Sequence, residues 1–210
     1  SGQPGLPSNW VERLLITQNG RLWLTTREGY CRYDTPMEQF DCSKITITTL
    51  NENPSYDYLF EDSKQQLWLS SSEGLFIIDR TTLEPKRVED PWLKAHSHNG
   101  DHVVTAIVED TQGRLWLGHR DAGLSRYNPT TGEGLNWQQG EAGLTSNKVR
   151  TLTLDNHERL WVGTQGAGIA LFDINTKMTI RLFRLKVRIL YSFSILFLLS
   201  VVVFQAVKLK

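Results

Sequence analysis

No acidic residue follows Asp173. Residues 1–173 hold 23 Asp and Glu against 16 Lys and Arg, a net of −7, while residues 174–210 hold seven bases and no acid. The net charge of zero therefore hides an acidic body and a basic tail. An acidic body lacks the basic face that phosphate contacts require, so no nucleic-acid partner is expected. Catalytic signatures are missing too. There is no Gly-x-Ser-x-Gly elbow, no phosphate loop and no His-Glu-x-x-His zinc helix. The glycine-rich stretch GTQGAG (163–168) lies between two short strand-like runs, which reads as a hairpin turn and not a nucleotide cradle. The chain begins without an initiator Met and without a signal peptide, so it is expected to be a piece or processed form of something longer.

One long uncharged run is present. Residues 189–207, ILYSFSILFLLSVVVFQAV, contain no turn residue. As a helix this run is about 28 Å long, close to the hydrocarbon thickness of a bilayer. A transmembrane helix is expected over 187–207. The other reading is a pair of buried strands, since Ile, Val, Phe and Tyr are good strand formers. Four bases (Arg181, Arg184, Lys186, Arg188) precede the run and two (Lys208, Lys210) follow it. Taken literally, that bias puts the preceding residues in the cytoplasm.

Tryptophan is abundant and periodic. Trp23, Trp68, Trp116 and Trp161 each sit in a Leu-Trp-Leu/Val unit, spaced 45, 48 and 45 residues apart. Six residues before each stand Thr17, Asp62, Asp110 and Asp155. Three before stand Gly20, Gln65, Gly113 and Glu158. Six or seven after stand Gly29, Gly74, Gly123 and Gly168, and ten or eleven after stand Tyr33, Ile78, Tyr127 and Phe172. Within unit three, HVVTAIVED, RLWLGH, LSRYN and GLNWQQ read as four short strands separated by Asp/Gly turns. Four antiparallel strands in about 45 residues is the size of a propeller blade. The expectation is an all-β chain of four blades, over about 9–50, 54–95, 102–142 and 147–183, standing alone or within a larger propeller. The Trp residues fill the gap between blades and the glycines reverse the chain.

The pattern D-x-x-G-x-L-W-x-G-T-x-x-G-L-x-x-Y-D/N resembles the two-component regulator propeller repeat. Asp110, Gly113, Leu115, Trp116, Gly118, Gly123, Leu124, Tyr127 and Asn128 carry it. So do Asp155, Leu160, Trp161, Gly163, Thr164, Gly168, Phe172 and Asp173. GLPSN (5–9) and GLTSN (143–147) match the family's lead into the innermost strand. Units one and two depart from the pattern, with Thr17 and Thr25 in the first and Gln65 and Ser70 in the second. The resemblance implies a seven-bladed propeller in the sensing portion of a bacterial inner-membrane regulator. It places that propeller in the periplasm, ahead of a membrane span and a cytoplasmic histidine kinase or diguanylate cyclase.

The same resemblance places a ligand or a protein partner at the propeller mouth. Fourteen residues before each Trp stand Asn9, Pro54, His102 and Asn147. With their neighbours, the candidate lining residues are Asn9, Trp10, Tyr56, Asp57, Asp101, His102, Asn147 and Lys148. The run HSHNGDH (96–102) is the most metal-like stretch, but its spacing fits no standard ligand pattern, and no metal, cofactor or catalytic residue is assigned. If Tyr33 faces Phe40 across a hairpin, Cys31 faces Cys42. Either a disulfide or two small buried side chains fits that register. The function expected is non-enzymatic sensing, with an interaction scaffold or a propeller lyase as rivals and a homodimer as an open arrangement.

Overall fold

The computed structural model describes residues 5–45, 54–89, 103–176 and 178–183. These form four four-stranded antiparallel sheets, each a meander in chain order. Blade one comprises β1 (Val11–Ile16), β2 (Leu22–Thr26), β3 (Gly29–Asp34) and β4 (Gln39–Ser43). Blade two comprises β5 (Tyr56–Glu61), β6 (Leu67–Ser71), β7 (Gly74–Ile78) and β8 (Pro85–Arg87). Blade three comprises β9 (Val104–Glu109), β10 (Leu115–His119), β11 (Leu124–Tyr127) and β12 (Gly134–Trp137). Blade four comprises β13 (Val149–Leu154), β14 (Arg159–Thr164), β15 (Gly168–Asp173) and β16 (Met178–Phe183). The span expected at 187–207 lies outside the described residues. Among the described residues no helix is long and apolar enough to cross a membrane.

The repeat spacing has a local cause. In blades two to four, the Asp six residues before the Trp does two jobs with two oxygens. One oxygen accepts backbone N–H groups of the hairpin: Lys64 and Gln66 on Asp62, Gln112 and Arg114 on Asp110, His157 and Arg159 on Asp155. The other accepts the indole N–H, at 2.9 Å for Trp68, 2.9 Å for Trp116 and 3.1 Å for Trp161. The carboxylate thus closes the turn and satisfies the indole donor, which in blades two and three is buried between blades. The Arg159 guanidinium beside Asp155 holds its carboxyl well below the usual carboxylate range. Three residues before the Trp the backbone is left-handed in every blade: Gly20, Gln65, Gly113 and Glu158 have φ of 79°, 62°, 71° and 56°. Gln65 and Glu158 hold that conformation at a cost of about 1 kcal/mol each.

The core is three separate layers, one between each pair of consecutive blades. Trp23 and Tyr30 of blade one pack on Leu59, Leu67 and Phe76 of blade two. Trp68 and Leu75 of blade two pack on Ile107, Leu117 and Tyr127 of blade three. Trp116 and Leu124 of blade three pack on Leu152, Val162 and Phe172 of blade four. Covering one such large side chain contributes about 2–3 kcal/mol. Where blades approach most closely, a small residue stands two after the Trp. A Cβ added at Gly118 would lie 2.6 Å from Val149 Cγ1. In blade two the same position is Ser70, whose Oγ accepts the Val104 N–H at 2.9 Å. In β3 and β4 Tyr33 faces Phe40 and Cys31 faces Cys42, and the two sulfurs are bonded.

Candidate functional site

All four blades share one construction at the end where their first strands begin. The carbonyls of Trp10, Ser55, Val103 and Lys148, thirteen residues before each Trp, accept the N–H groups of Arg27, Ser72, Arg120 and Gln165 at 3.1, 3.2, 3.0 and 2.8 Å. Two residues further on, each first strand carries a β-bulge. The register skips Glu12 in β1, Asp57 in β5, Thr105 in β9 and Arg150 in β13. A bulge adds one unpaired residue and re-aims its side chain, here at the same end of every blade. The mouth is therefore a row of four bulged residues of different chemistry: acid, acid, hydroxyl and base.

Neighbours hold these side chains in place. Arg27 pairs with Glu12 at 3.3 Å and lies 3.5 Å above the Trp10 ring. Asp57 accepts from the Ser55 hydroxyl at 2.6 Å and pairs with Arg120 of blade three at 2.7 Å. Thr105 donates to the Val149 carbonyl of blade four at 2.7 Å. Arg150 Nε donates to Gln165 Oε1 at 3.0 Å, and Lys148 stands 3.8 Å from Asp121. Each exposed pair contributes well under about 1 kcal/mol to stability, but together they fix the rim's charge pattern.

Between blades one and two the rim opens into a cleft of about 410 Å³, lined by Glu12, Arg27, Glu28, Ser55, Tyr56 and Asp57. Three carboxylates against one guanidinium make it acidic. Tyr56 forms its floor. That ring is buried against Tyr30, with centroids 6.0 Å apart, and its hydroxyl oxygen accepts the Ile45 N–H at 2.9 Å. Burial raises the Tyr56 pKa above its ordinary value, so the phenol is neutral at physiological pH. The cleft thus offers carboxylate acceptors, one cation and an aromatic floor, with an exposed indole at its lip.

The residues expected at the mouth fall into three groups. Tyr56 and Asp57 line the cleft, and Trp10 lies beneath Arg27, which also lines it. Asn9 is exposed nearby in the chain, and Lys148 sits on the rim of blade four. Asn147 is half-buried and structural: its Oδ1 accepts the Gln139 N–H at 2.5 Å and its carbonyl accepts the Gly123 N–H at 2.8 Å. Asp101, His102 and the rest of HSHNGDH lie outside the described residues. Among the described residues no three His, Cys, Asp or Glu side chains form a group able to hold a metal. Glu12, Arg27, Thr105, Arg120 and Arg150 belong to the mouth but do not figure in the sequence reading. Their signal was the fixed offset of eleven before or four after each Trp, hidden because the residue types differ.

Three segments of the chain, residues 5–28, 99–121 and 143–166, match the family model described as two component regulator propeller. Each segment is the lead, first strand and Trp strand of one unit; unit two is not matched. No curated protein matches the sequence. Among solved structures the chain is similar to the extracellular domain of the putative hybrid two component system BT3049 from B. thetaiotaomicron. That match has 21% identity and TM-score 0.72, over 87% of this chain and 25% of that one. The corresponding domain of BT4673 from the same organism gives 24% identity and TM-score 0.68, over 80% of this chain and 22% of that one. Virginiamycin B lyase from Staphylococcus aureus gives 15% identity and TM-score 0.68, over 87% and 59%. At these identities the likeness is one of fold. The chain spans a quarter or less of the two extracellular domains. Units one, three and four thus contain segments similar to the two component regulator propeller repeat, on four sheets consistent with propeller blades.

Proposed function

We propose, from a chain built of two-component regulator propeller repeats, that this is the extracytoplasmic sensing portion of a bacterial membrane-bound signalling protein. It acts by binding and not by catalysis. The observation that carries the reading is the row of bulged side chains at one end of the blades, opening into the acidic cleft between blades one and two. A polar ligand or a protein segment with donor or cationic groups binds there. Its contacts with Glu12, Glu28 and Asp57 draw blades one and two together, and that bias is passed to the segment following blade four. Such a ligand signals only if it binds one arrangement of the blades better than the other.

Two observations support the compartment. Cys31 and Cys42 are bonded, as fits an oxidising space, and the similar two-component structures are extracellular domains. Against a lyase reading, two of the three acids of the cleft are committed to partners: Asp57 to Ser55 and Arg120, Glu12 to Arg27. The test is thiol accessibility in intact cells expressing the membrane-bound protein. An impermeant thiol reagent is expected to label Cys31 and Cys42 only after treatment with an impermeant reductant. Labelling that needs lysis and no reductant would place the blades in the cytoplasm and overturn the reading.

A further inference from the structure

In blades three and four a single carboxylate oxygen serves two donors. Asp110 Oδ2 accepts the Trp116 indole N–H at 2.9 Å and Arg114 Nε at 2.7 Å. Asp155 Oδ2 accepts the Trp161 indole N–H at 3.1 Å and Arg159 Nε at 2.8 Å. In blade two Asp62 takes the indole of Trp68, and Gln66 stands where the other blades have arginine. A second guanidinium is close in blade three: Arg126, opposite Trp116 on β11, lies within electrostatic reach of Asp110.

Blade one keeps the donors and lacks the acid. Trp23, Arg21 and Arg32 hold the positions of Trp116, Arg114 and Arg126, and Thr17 holds that of Asp110. Asn19 Oδ1 replaces one of the two carboxylate oxygens, accepting the Thr17 hydroxyl at 2.6 Å and the Arg21 N–H at 3.3 Å. Among the described residues nothing replaces the other. The Trp23 indole nitrogen is buried and finds no acceptor there. Nor does any carboxylate among the described residues pair with the Arg21 guanidinium.

A cavity of about 130 Å³ lies at this end of blade one, lined by Arg21, Arg32, Tyr33, Asp34, Thr35 and Pro36. Side chains alternate along a strand, so Arg21 shares a face with Trp23, and Arg32 and Asp34 on the facing strand share it too. The Arg32 guanidinium lies 6.0 Å from the Trp23 ring centre. Arg32 is held by Asp41 at 2.7 Å and donates to the Arg80 carbonyl. Asp34 accepts the Met37 N–H at 3.3 Å, closing the next turn. Two guanidiniums and one carboxylate leave the cavity with a net positive charge, and Arg21 is the cation without an acid. The site is at the β1–β2 turn, the opposite end of the blade from the cleft at the mouth.

We propose that blade one binds a small carboxylate anion of the size of formate or acetate. One of its oxygens accepts the Trp23 indole N–H and the Arg21 guanidinium, as Asp110 Oδ2 does in blade three. The bound anion completes from outside the chain the clamp that the other blades complete with their own aspartate. A planar carboxylate suits these donors better than a halide, because a guanidinium presents its N–H groups as a fork. The cavity is well below the roughly 300 Å³ at which pockets for larger ligands begin.

The test is nitrogen-15 NMR of the tryptophan indoles in the full chain, held in detergent micelles, with the Trp23 resonance identified by Trp23→Phe. Sodium formate replaces sodium chloride at constant ionic strength. The Trp23 N–H resonance is expected to move downfield and saturate, while that of Trp116, which already has its acceptor, stays in place. Arg21→Gln is expected to weaken binding at least about tenfold, the weight of one charged hydrogen bond. Thr17→Asp is expected to give the shifted resonance without formate and no further response. A Trp23 resonance that formate does not move would overturn the proposal. So would a response that Arg21→Gln leaves at full strength, or one that survives Thr17→Asp, since either places the anion elsewhere.

Discussion

In blade three the Trp116 indole donates to Asp110 at 2.9 Å, and the same carboxylate holds two backbone N–H groups and the Arg114 side chain at 2.7 Å. In blade one the Trp23 indole is just as buried, but the residue six before it is Thr17. Its hydroxyl is engaged with Asn19 Oδ1 at 2.6 Å, and the Trp23 N–H has no acceptor. Blade one instead has a covalent tie, Cys31 to Cys42, at the β3–β4 pair. The equivalent pair in blade three is Ser125 and Asn136, joined by a hydrogen bond of 2.8 Å. The same backbone is thus held in two ways. Blade three gives its buried indole and the backbone N–H groups of its hairpin an acceptor, and among the described residues it is packed on both faces. Blade one leaves its indole N–H without an acceptor, and a disulfide ties its outer strands together.

The largest expected effect comes from removing the clamp where it is complete. Asp110→Ala leaves the buried indole and two backbone donors without their acceptor and should cost about 3–4 kcal/mol. Denaturant melts should show it, and Thr17→Ala in blade one should cost far less. A clamp that merely decorates the turn would make the two substitutions equal. Next is the disulfide. Its loop spans 11 residues, for which chain entropy gives about 2–3 kcal/mol. Cys31→Ser with Cys42→Ser should therefore lower the melting temperature, with hydrogen exchange rising in blade one and not in blade three.

A pH difference should separate the junctions. Burial pushes the Tyr30 hydroxyl at the junction of blades one and two up to about 12 from its ordinary 10.0, and it donates to the Leu83 carbonyl at 2.6 Å. Unfolded chains lose this proton first, so its contribution is whole below about pH 10 and fades as pH rises toward about 12. Stability should fall through that window, and Tyr30→Phe should flatten the fall. The junction of blades three and four, built on Trp and Phe, should show no such step. The smallest effect is a gain. Thr17→Asp offers Trp23 the acceptor it lacks and should add about 1 kcal/mol, read by the same melts.

Much of this is legible in the sequence. The four-strand units follow from alternation, turn residues and the Trp spacing, and the Cys31–Cys42 register follows from Tyr33 opposite Phe40. The role of Asp62, Asp110 and Asp155 was not read, although the fixed six-residue offset from Trp was visible. A side chain that closes a turn and satisfies an indole looks in sequence like a turn residue alone. The left-handed backbone at Gln65 and Glu158 was hidden because neither residue advertises it. The mouth was read least well. Fourteen residues before the Trp is loop, and the bulge that re-aims Glu12, Asp57, Thr105 and Arg150 lies three positions later. Bulges break the two-residue period, so counting faces along the strand misplaces these side chains.

Native-state hydrogen exchange on the full chain, oxidised and then reduced, tests the contrast between blades most directly. On reduction, protection should fall across β1–β4 while β9–β12 keeps the protection it had. Equal loss in both blades, or none in blade one, would contradict the claim that the disulfide holds blade one where the Asp–Trp clamp is missing.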